Sequence, residues 1–429
     1  MNQNIRLYNP TLEKTNWGYI IGYLIFFLFL PPFIGLPLVI GSIWKKGMPP
    51  RTDYYTFFFC IAAYLAAINA TKAPSGDQIN YCWAYLNVPT QGFIGSLKNI
   101  YGYAVAMEGE EAANISGEFM NGVYNYIGYY LTFGYYPLFA FLLTIADYMF
   151  IFLGLYKFSQ TLEKPHIPTV CGVLTLSFFY LFFNYTLQIQ KQFLAQSIMM
   201  YVLGSYAQTG KMTKKLWIVA ICAVFTHAST MLFIPFIALK GLRNRLSKQG
   251  LLFMGVIFSL VIILGPKLAG NIVSSNEQSA LTYGVSRLAQ SETNNDMDFG
   301  LVWSQVLVIA MPLAIITLRK LWLERKTLNP TNAFILNITL LLLLAVIAMY
   351  RQPLAQYRYF MMLFALMPFV YPFISNNILV RNKFLKCLSV IMIVWFYYQF
   401  ENIVWHYAPE IDIVIKSPVF LLFGNYYNV

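Results

Sequence analysis

Residues 216–239 read LWIVAICAVFTHASTMLFIPFIAL, an apolar stretch long enough to cross a membrane, with one ionisable side chain, His227, at its middle. Basic clusters flank both ends: Lys211, Lys214 and Lys215 before it, and Lys240, Arg243, Arg245 and Lys248 after it. Lys and Arg collect on the cytoplasmic side of membrane proteins, which puts both flanks on that side. A full crossing would separate them. A segment that enters, breaks near His227 and returns keeps them together, and non-helical backbone at membrane depth persists only where it is buried in protein or lines a cavity. The pattern therefore predicts a re-entrant segment over 216–239, with His227 and its neighbours Thr226, Ser229 and Thr230 at the bottom of a wet pocket.

The rest of the chain has the same character. It is 58% hydrophobic and only 11% charged, so uncharged runs fill most of its 429 residues. The expected fold class is all-α, a polytopic integral membrane protein forming a single membrane domain over 1–429. The first sixteen residues are polar and the first apolar run is too long for the core of a cleavable signal. The net charge of +12 is spread over short loops, where it orients spans, and a nucleic-acid partner is not expected. Five cysteines, Cys60, Cys82, Cys171, Cys222 and Cys387, form neither a disulfide framework nor a metal set.

Following the positive-inside rule along the chain gives spans at 16–44, 54–71 and 135–156, then a hairpin of 167–187 and 193–209 with its tip at 188–192 on the outer side. Further spans follow at 251–265, 301–318, 333–350, 359–379 and 388–400. That is roughly ten transmembrane helices plus the re-entrant piece. Two long loops, 72–121 and 266–300, fall outside and are candidate covers for a site, since loops of this length are usually functional. Within the first, 91–107 and 118–130 have the spacing of amphipathic interfacial helices.

Cations on the wrong side of the rule are the informative ones. Lys72, Lys191, Arg351 and Arg358 all sit at outer ends of predicted spans. Singly, each could put its charge among lipid headgroups. As a set on one leaflet they suit an anionic ligand, and Arg matches phosphate oxygens with a planar fork. Asp77 lies just past Lys72 behind Gly76, while Glu118 opens the next apolar helix, where an acid also complements the helix dipole. Asp147 sits deep within a span and reads as a buried polar contact or a protonated acid. Three scattered histidines give no metal-ligand spacing, and no nucleophile elbow, phosphate loop or dinucleotide fingerprint is present.

Four pieces occur in order: Lys72-x-x-x-Gly76-Asp77-x-x-x-Tyr81, Glu118 leading into a helix, Lys191-Gln192-Phe193-Leu194-Ala195 at a hairpin tip, and Phe225-Thr226-His227-Ala228-Ser229. Together they resemble the EpsG family of bacterial Wzy-type polysaccharide polymerases, over about residues 50–240. Arg358 in Tyr357-Arg358-Tyr359 is a weaker match farther on. The chain departs from the family pattern in having Lys at 72 and 191 where Arg is usual, and in an acidic insertion around Glu108, Glu110 and Glu111.

The resemblance implies a multi-pass glycosyltransferase of the bacterial cytoplasmic membrane, in an architecture resembling GT-C-like membrane glycosyltransferases. It would polymerise undecaprenyl-diphosphate-linked oligosaccharide repeat units at the outer face into capsule, exopolysaccharide or O-antigen. No cofactor or metal is expected, because fixed cations stabilise the charge that develops on a leaving diphosphate. In this reading Lys191, Arg351 and Arg358 hold the diphosphate with Lys72 assisting, and Asp77 or His227 takes the acceptor proton. Tyr81, Trp83 and Tyr101 stack on sugar rings, and Glu118, Gln192 and Ser229 complete the substrate site. Membrane lipid and a chain-length regulator protein are the further expected partners. Two other classes compete: a lipid-linked oligosaccharide flippase, against which stands the lack of an internal repeat, and a membrane acyltransferase, which would work from the cytoplasmic side.

Overall fold

The structure, a computed structural model, describes residues 17–46, 49–74, 76–98, 115–188, 190–272, 303–350, 353–399, 408–424 and 426. Arg351, Tyr101, the acidic group at 108–111 and most of the loop 266–300 lie outside the described residues. Among those described, the regular elements are all helices.

The first three helices, α1 (Trp17–Phe29), α2 (Pro32–Lys45) and α3 (Arg51–Ala70), lead to the short α4 (Asp77–Leu86) and α5 (Val88–Lys98). Next come α6 (Met120–Leu131), α7 (Tyr136–Ser159), α8 (His166–Ser177), α9 (Tyr180–Gln188) and α10 (Gln190–Thr209). The re-entrant region contains α11 (Lys214–Thr226) and α12 (Phe233–Ala238). Beyond it lie α13 (Lys248–Ile272), α14 (Val306–Leu323, with π-helical turns at both ends), α15 (Pro330–Ala348), α16 (Pro353–Val370) and α17 (Ile378–Gln399). Two short helices, α18 (Glu410–Ile415) and α19 (Pro418–Leu422), follow.

At the centre, α3 packs against α7, and α7 against α10. α3 is buried on every side from Cys60 to Ala70, and its alanines let neighbours approach closely. α7 and α10 meet backbone to backbone: a Cβ on Gly154 would lie 2.4 Å from the carbonyl oxygen of Met200, and one on Gly204 would lie 2.0 Å from that of Gly154. Only glycine permits that contact. By contrast α13 is apolar yet exposes Leu252, Phe253, Val256, Leu260 and Val261 along its length. Such a surface is unfavourable in water and ordinary against lipid tails. The protein is a helical membrane protein.

Five helical segments among the described residues are long and apolar enough to cross a membrane: Tyr136–Ser159, Lys248–Gly265, Val306–Leu323, Pro330–Ala348 and Ala355–Ile374. The expectation of roughly ten exceeds this for physical reasons. The run 16–44 breaks at Pro31, and 167–187 breaks at Phe178 and Phe179, leaving pieces shorter than a span. α3 and α10 keep 20 residues each but carry Arg51, Asp53, Lys191 and several amides, and α17 carries Arg381, Lys383 and Lys386.

One end of the bundle gathers the basic loops. Arg381 donates to the carbonyls of Glu163 and Lys164, Arg319 to that of Ile374, and Arg245 to that of Lys326. Tyr54 and His166 share a hydrogen bond of 2.8 Å, and Lys386 lies over the Trp44 ring. The opposite end is roofed by α4, α5 and α6. Gly122 brings α6 onto α5 so closely that a Cβ would meet Ser96 O at 2.1 Å. Tyr85 of α4 stacks on Phe139 of α7 at 4.6 Å, tying the roof to the core.

Candidate active site

The site forms where the segment after α10 turns back. Arg243 donates to the carbonyls of Tyr206 and Ala207, at the C-terminal end of α10, where α11 also starts. His227, midway between, lies beside Glu118 and hence beside Lys191, at the N-terminal end of α10. The segment thus leaves one end of α10, reaches toward the other and comes back. α11 has 13 residues, about 20 Å of helix, which is too short for a hydrocarbon core of about 30 Å.

Helix α11 stops at Thr226 because His227 is extended (φ −155°, ψ 125°), and a single 3-10 turn, Ala228–Leu232, follows. A new helix start leaves backbone N–H groups without partners. His227 Nδ1 accepts that of Ser229 at 3.2 Å, and Glu118 Oε1 accepts that of Ala228 at 3.0 Å. The neutral imidazole therefore carries its proton on Nε2, which faces Glu118 Oε1 at 3.9 Å. Ser229 Oγ is 2.7 Å from Nδ1.

Glu118 sits in the turn before α6, whose placement is fixed by Asn121: its side-chain amide donates to Glu118 O at 3.0 Å and to Thr226 O at 2.7 Å. Its other carboxylate oxygen, Oε2, accepts from Lys191 Nζ at 2.5 Å, and both side chains are almost wholly buried. Burial pushes the Glu118 carboxyl up, but the electrostatic pull of the His227 ring and the Lys191 ammonium, with hydrogen bonds from Lys191 and the Ala228 N–H, outweighs it and holds the pKa at about 2. Tyr81 of α4 closes the chamber from above, its ring 6.0 Å from Lys191 Nζ. On the far side Gln192 donates to the carbonyl of Arg358 at 3.2 Å, and Tyr359 OH donates to that of Ser229 at 3.2 Å.

An EpsG family model matches residues 53–411, a span that contains every one of these side chains. The chain belongs to the EpsG family. EpsG is a Wzy-type polysaccharide polymerase family, so membership implies a polysaccharide polymerase of the glycosyltransferase kind. No curated protein and no solved structure matches the chain significantly.

Within this EpsG chain the expected site residues separate into groups. Glu118, Lys191, His227, Ser229 and Tyr81 come together, with Gln192 and the Arg358 backbone alongside. Lys72 is buried just beyond α3, and burial lowers its pKa to about 7. Asp77 and Trp83 are exposed on α4, and none of the described contacts joins either to the cluster; Asp77 lies in the first turn, where it complements the helix dipole. Two roles change. Glu118, whose position also suited a helix-dipole acid, is the hub, and Lys191 carries a counter-charge that its sequence context did not disclose. Asn121 and Tyr359 were missed; the only signal for Tyr359 was its place beside Arg358. Among the described residues no group of three or more His, Cys, Asp or Glu side chains could hold a metal ion.

Proposed function

We propose that this EpsG protein polymerises oligosaccharide repeat units carried on a lipid diphosphate, of the undecaprenyl type, at the outer face of the bacterial cytoplasmic membrane, making capsule, exopolysaccharide or O-antigen. The observation that carries the reading is the buried Glu118–Lys191–His227 cluster at the turning point of a segment both of whose ends are basic. Fixed charge in a dry chamber stabilises a transition state strongly because it needs no reorganisation.

In this mechanism the acceptor sugar hydroxyl attacks the anomeric carbon of the donor. The new C–O bond forms as the bond to the diphosphate oxygen breaks, and the electron pair leaves with the diphosphate. The ammonium of Lys191, together with Arg358, Lys72 and Arg351, would receive the developing negative charge. The acceptor proton passes by way of the Ser229 hydroxyl to His227 Nδ1, and Glu118 stabilises the resulting imidazolium across the 3.9 Å gap. Tyr81 lies against the sugar, and no metal is required. A chain-length regulator would act on the growing product from outside this chamber.

Alanine at Lys191 or at His227 is expected to abolish polymer while the protein remains in the membrane and single repeat units accumulate on their lipid carrier at the outer leaflet. Full-length polymer from both variants would refute the assignment. Carrier-linked units trapped on the inner leaflet would instead make the protein a flippase.

A further inference from the structure

Asp147 lies on α7, in the middle of one of the most apolar spans, and is 2% exposed. Among the described residues no ion pair reaches it, and its Oδ1 accepts no hydrogen bond from any of them. One turn away along α7, Thr144 Oγ accepts from Asn69 Nδ2 at 2.9 Å; Asn69 Oδ1 is buried too, and none of the described residues donates to it. Both residues line a small cavity, about the size of one water molecule, together with Gln78 of α4, Gln190 of α10, Thr144 and Phe193.

Two acceptor oxygens without donors, one of them on a carboxylate, are costly in a low-dielectric interior. A water would satisfy the hydrogen bonds and leave the charge uncompensated. Protonating Asp147 would let the two oxygens share one hydrogen bond with no charge left over, and that is the alternative the binding experiment below separates from an ion. A bare cation meets both needs, and the oxygen-only set of carboxylate, amides and hydroxyl suits a hard ion. A single carboxylate among neutral oxygens matches a charge of one, whereas divalent sites recruit several acids.

We propose that this cavity is a binding site for a small monovalent cation, Na+, held by Asp147, Asn69 and the side-chain oxygens of Thr144, Gln78 and Gln190. The ion would join α3, α4, α7 and α10 directly beneath the Glu118–Lys191 chamber, because Gln78 and Gln190 lie one turn and one residue from Tyr81 and Lys191. Its role is to pin the roof on the core, and it does not depend on what the chamber catalyses.

The test uses the full chain purified in detergent. Saturable binding of radioactive Na+ is expected at about one ion per chain, with a rise in thermal midpoint in NaCl over choline chloride at equal ionic strength. D147N should lose both responses. D53N, an acid paired with Lys46 at the opposite end of α3, should keep them. Absence of saturable Na+ binding to the unaltered protein overturns the proposal, whether or not D147N folds. Binding that persists in folded D147N overturns it as well.

Discussion

Glu118 is a carboxylate with almost no access to solvent, so its charge is set by its neighbours. Its pKa of about 2 in the folded protein lies below the ordinary 4.5, because Lys191 and His227 outweigh the effect of burial. A depressed folded pKa means stabilisation that is complete above about pH 4.5 and disappears as pH falls toward 2. E118Q keeps the shape and removes the charge, leaving the Lys191 ammonium buried without a counter-ion. Removing one partner of a buried pair costs roughly 3–5 kcal/mol. E118Q is therefore expected to unfold at lower temperature at neutral pH and to lose the acid-dependent limb between about pH 4.5 and 2, read by thermal unfolding across pH. Pairing it with K191M removes both charges, and stability should largely return while polymer formation does not. Polymer from the double variant would mean that the pair only holds the fold. Sequence made both residues visible as charges near an outer edge. It could not join them, because 73 positions separate the two and no local spacing reports a long-range closure.

Helices in this protein are legible in proportion to how local their causes are. The stop of α11 at Thr226 could be read from the basic flanks and the polar Thr226-His227-Ala228-Ser229 interruption, and α6 from its apolar spacing. The Pro31-Pro32 pair marks the separation of α1 from α2, whereas that of α8 from α9 was hidden inside a continuous hydrophobic run, where hydropathy reports solvent preference and not backbone direction. The α7–α10 contact was equally hidden, since Gly154 and Gly204 are two glycines among 26. Structure singles them out: a side chain at 204 would strike the Gly154 carbonyl at 2.0 Å, and a backbone atom within a helix cannot step aside as a side chain can. G204V should force the two central helices apart and cost more than the 1–3 kcal/mol typical of overpacking, seen as aggregation or a sharply lowered unfolding midpoint in detergent. Gly22, on α1, has nothing within 4 Å of the added Cβ. G22A should be neutral or slightly stabilising, because glycine within a helix costs up to about 1 kcal/mol relative to alanine. Equal tolerance of the two substitutions would contradict the backbone-to-backbone contact.

At the scale of the molecule, the decisive quantity is which end of the bundle each loop occupies. Arg243 binds the C-terminal carbonyls of α10, and α11 begins near the same end, so positions 211 and 240 share a side although an apolar stretch separates them. Arg245, Arg319, Lys320 and Arg381, at helix ends or in loops, are tied to their neighbours by hydrogen bonds, whereas Glu118 and Lys191 lie under the roof of α4 and α6. Lys and Arg in short loops remain in the cytoplasm, so the rule predicts that the bundle sits with its roof outward. Single cysteines placed at 211, 240 and 77 in a chain lacking its five native cysteines turn this into a measurement. A membrane-impermeant maleimide should label 211 and 240 only from the cytoplasmic side, and the exposed position 77 only from outside. A full crossing between 211 and 240 would instead put them on opposite sides. External labelling at 240 with internal labelling at 211 would therefore remove the turning point at His227, and with it the chamber in which a lipid-borne diphosphate is proposed to react.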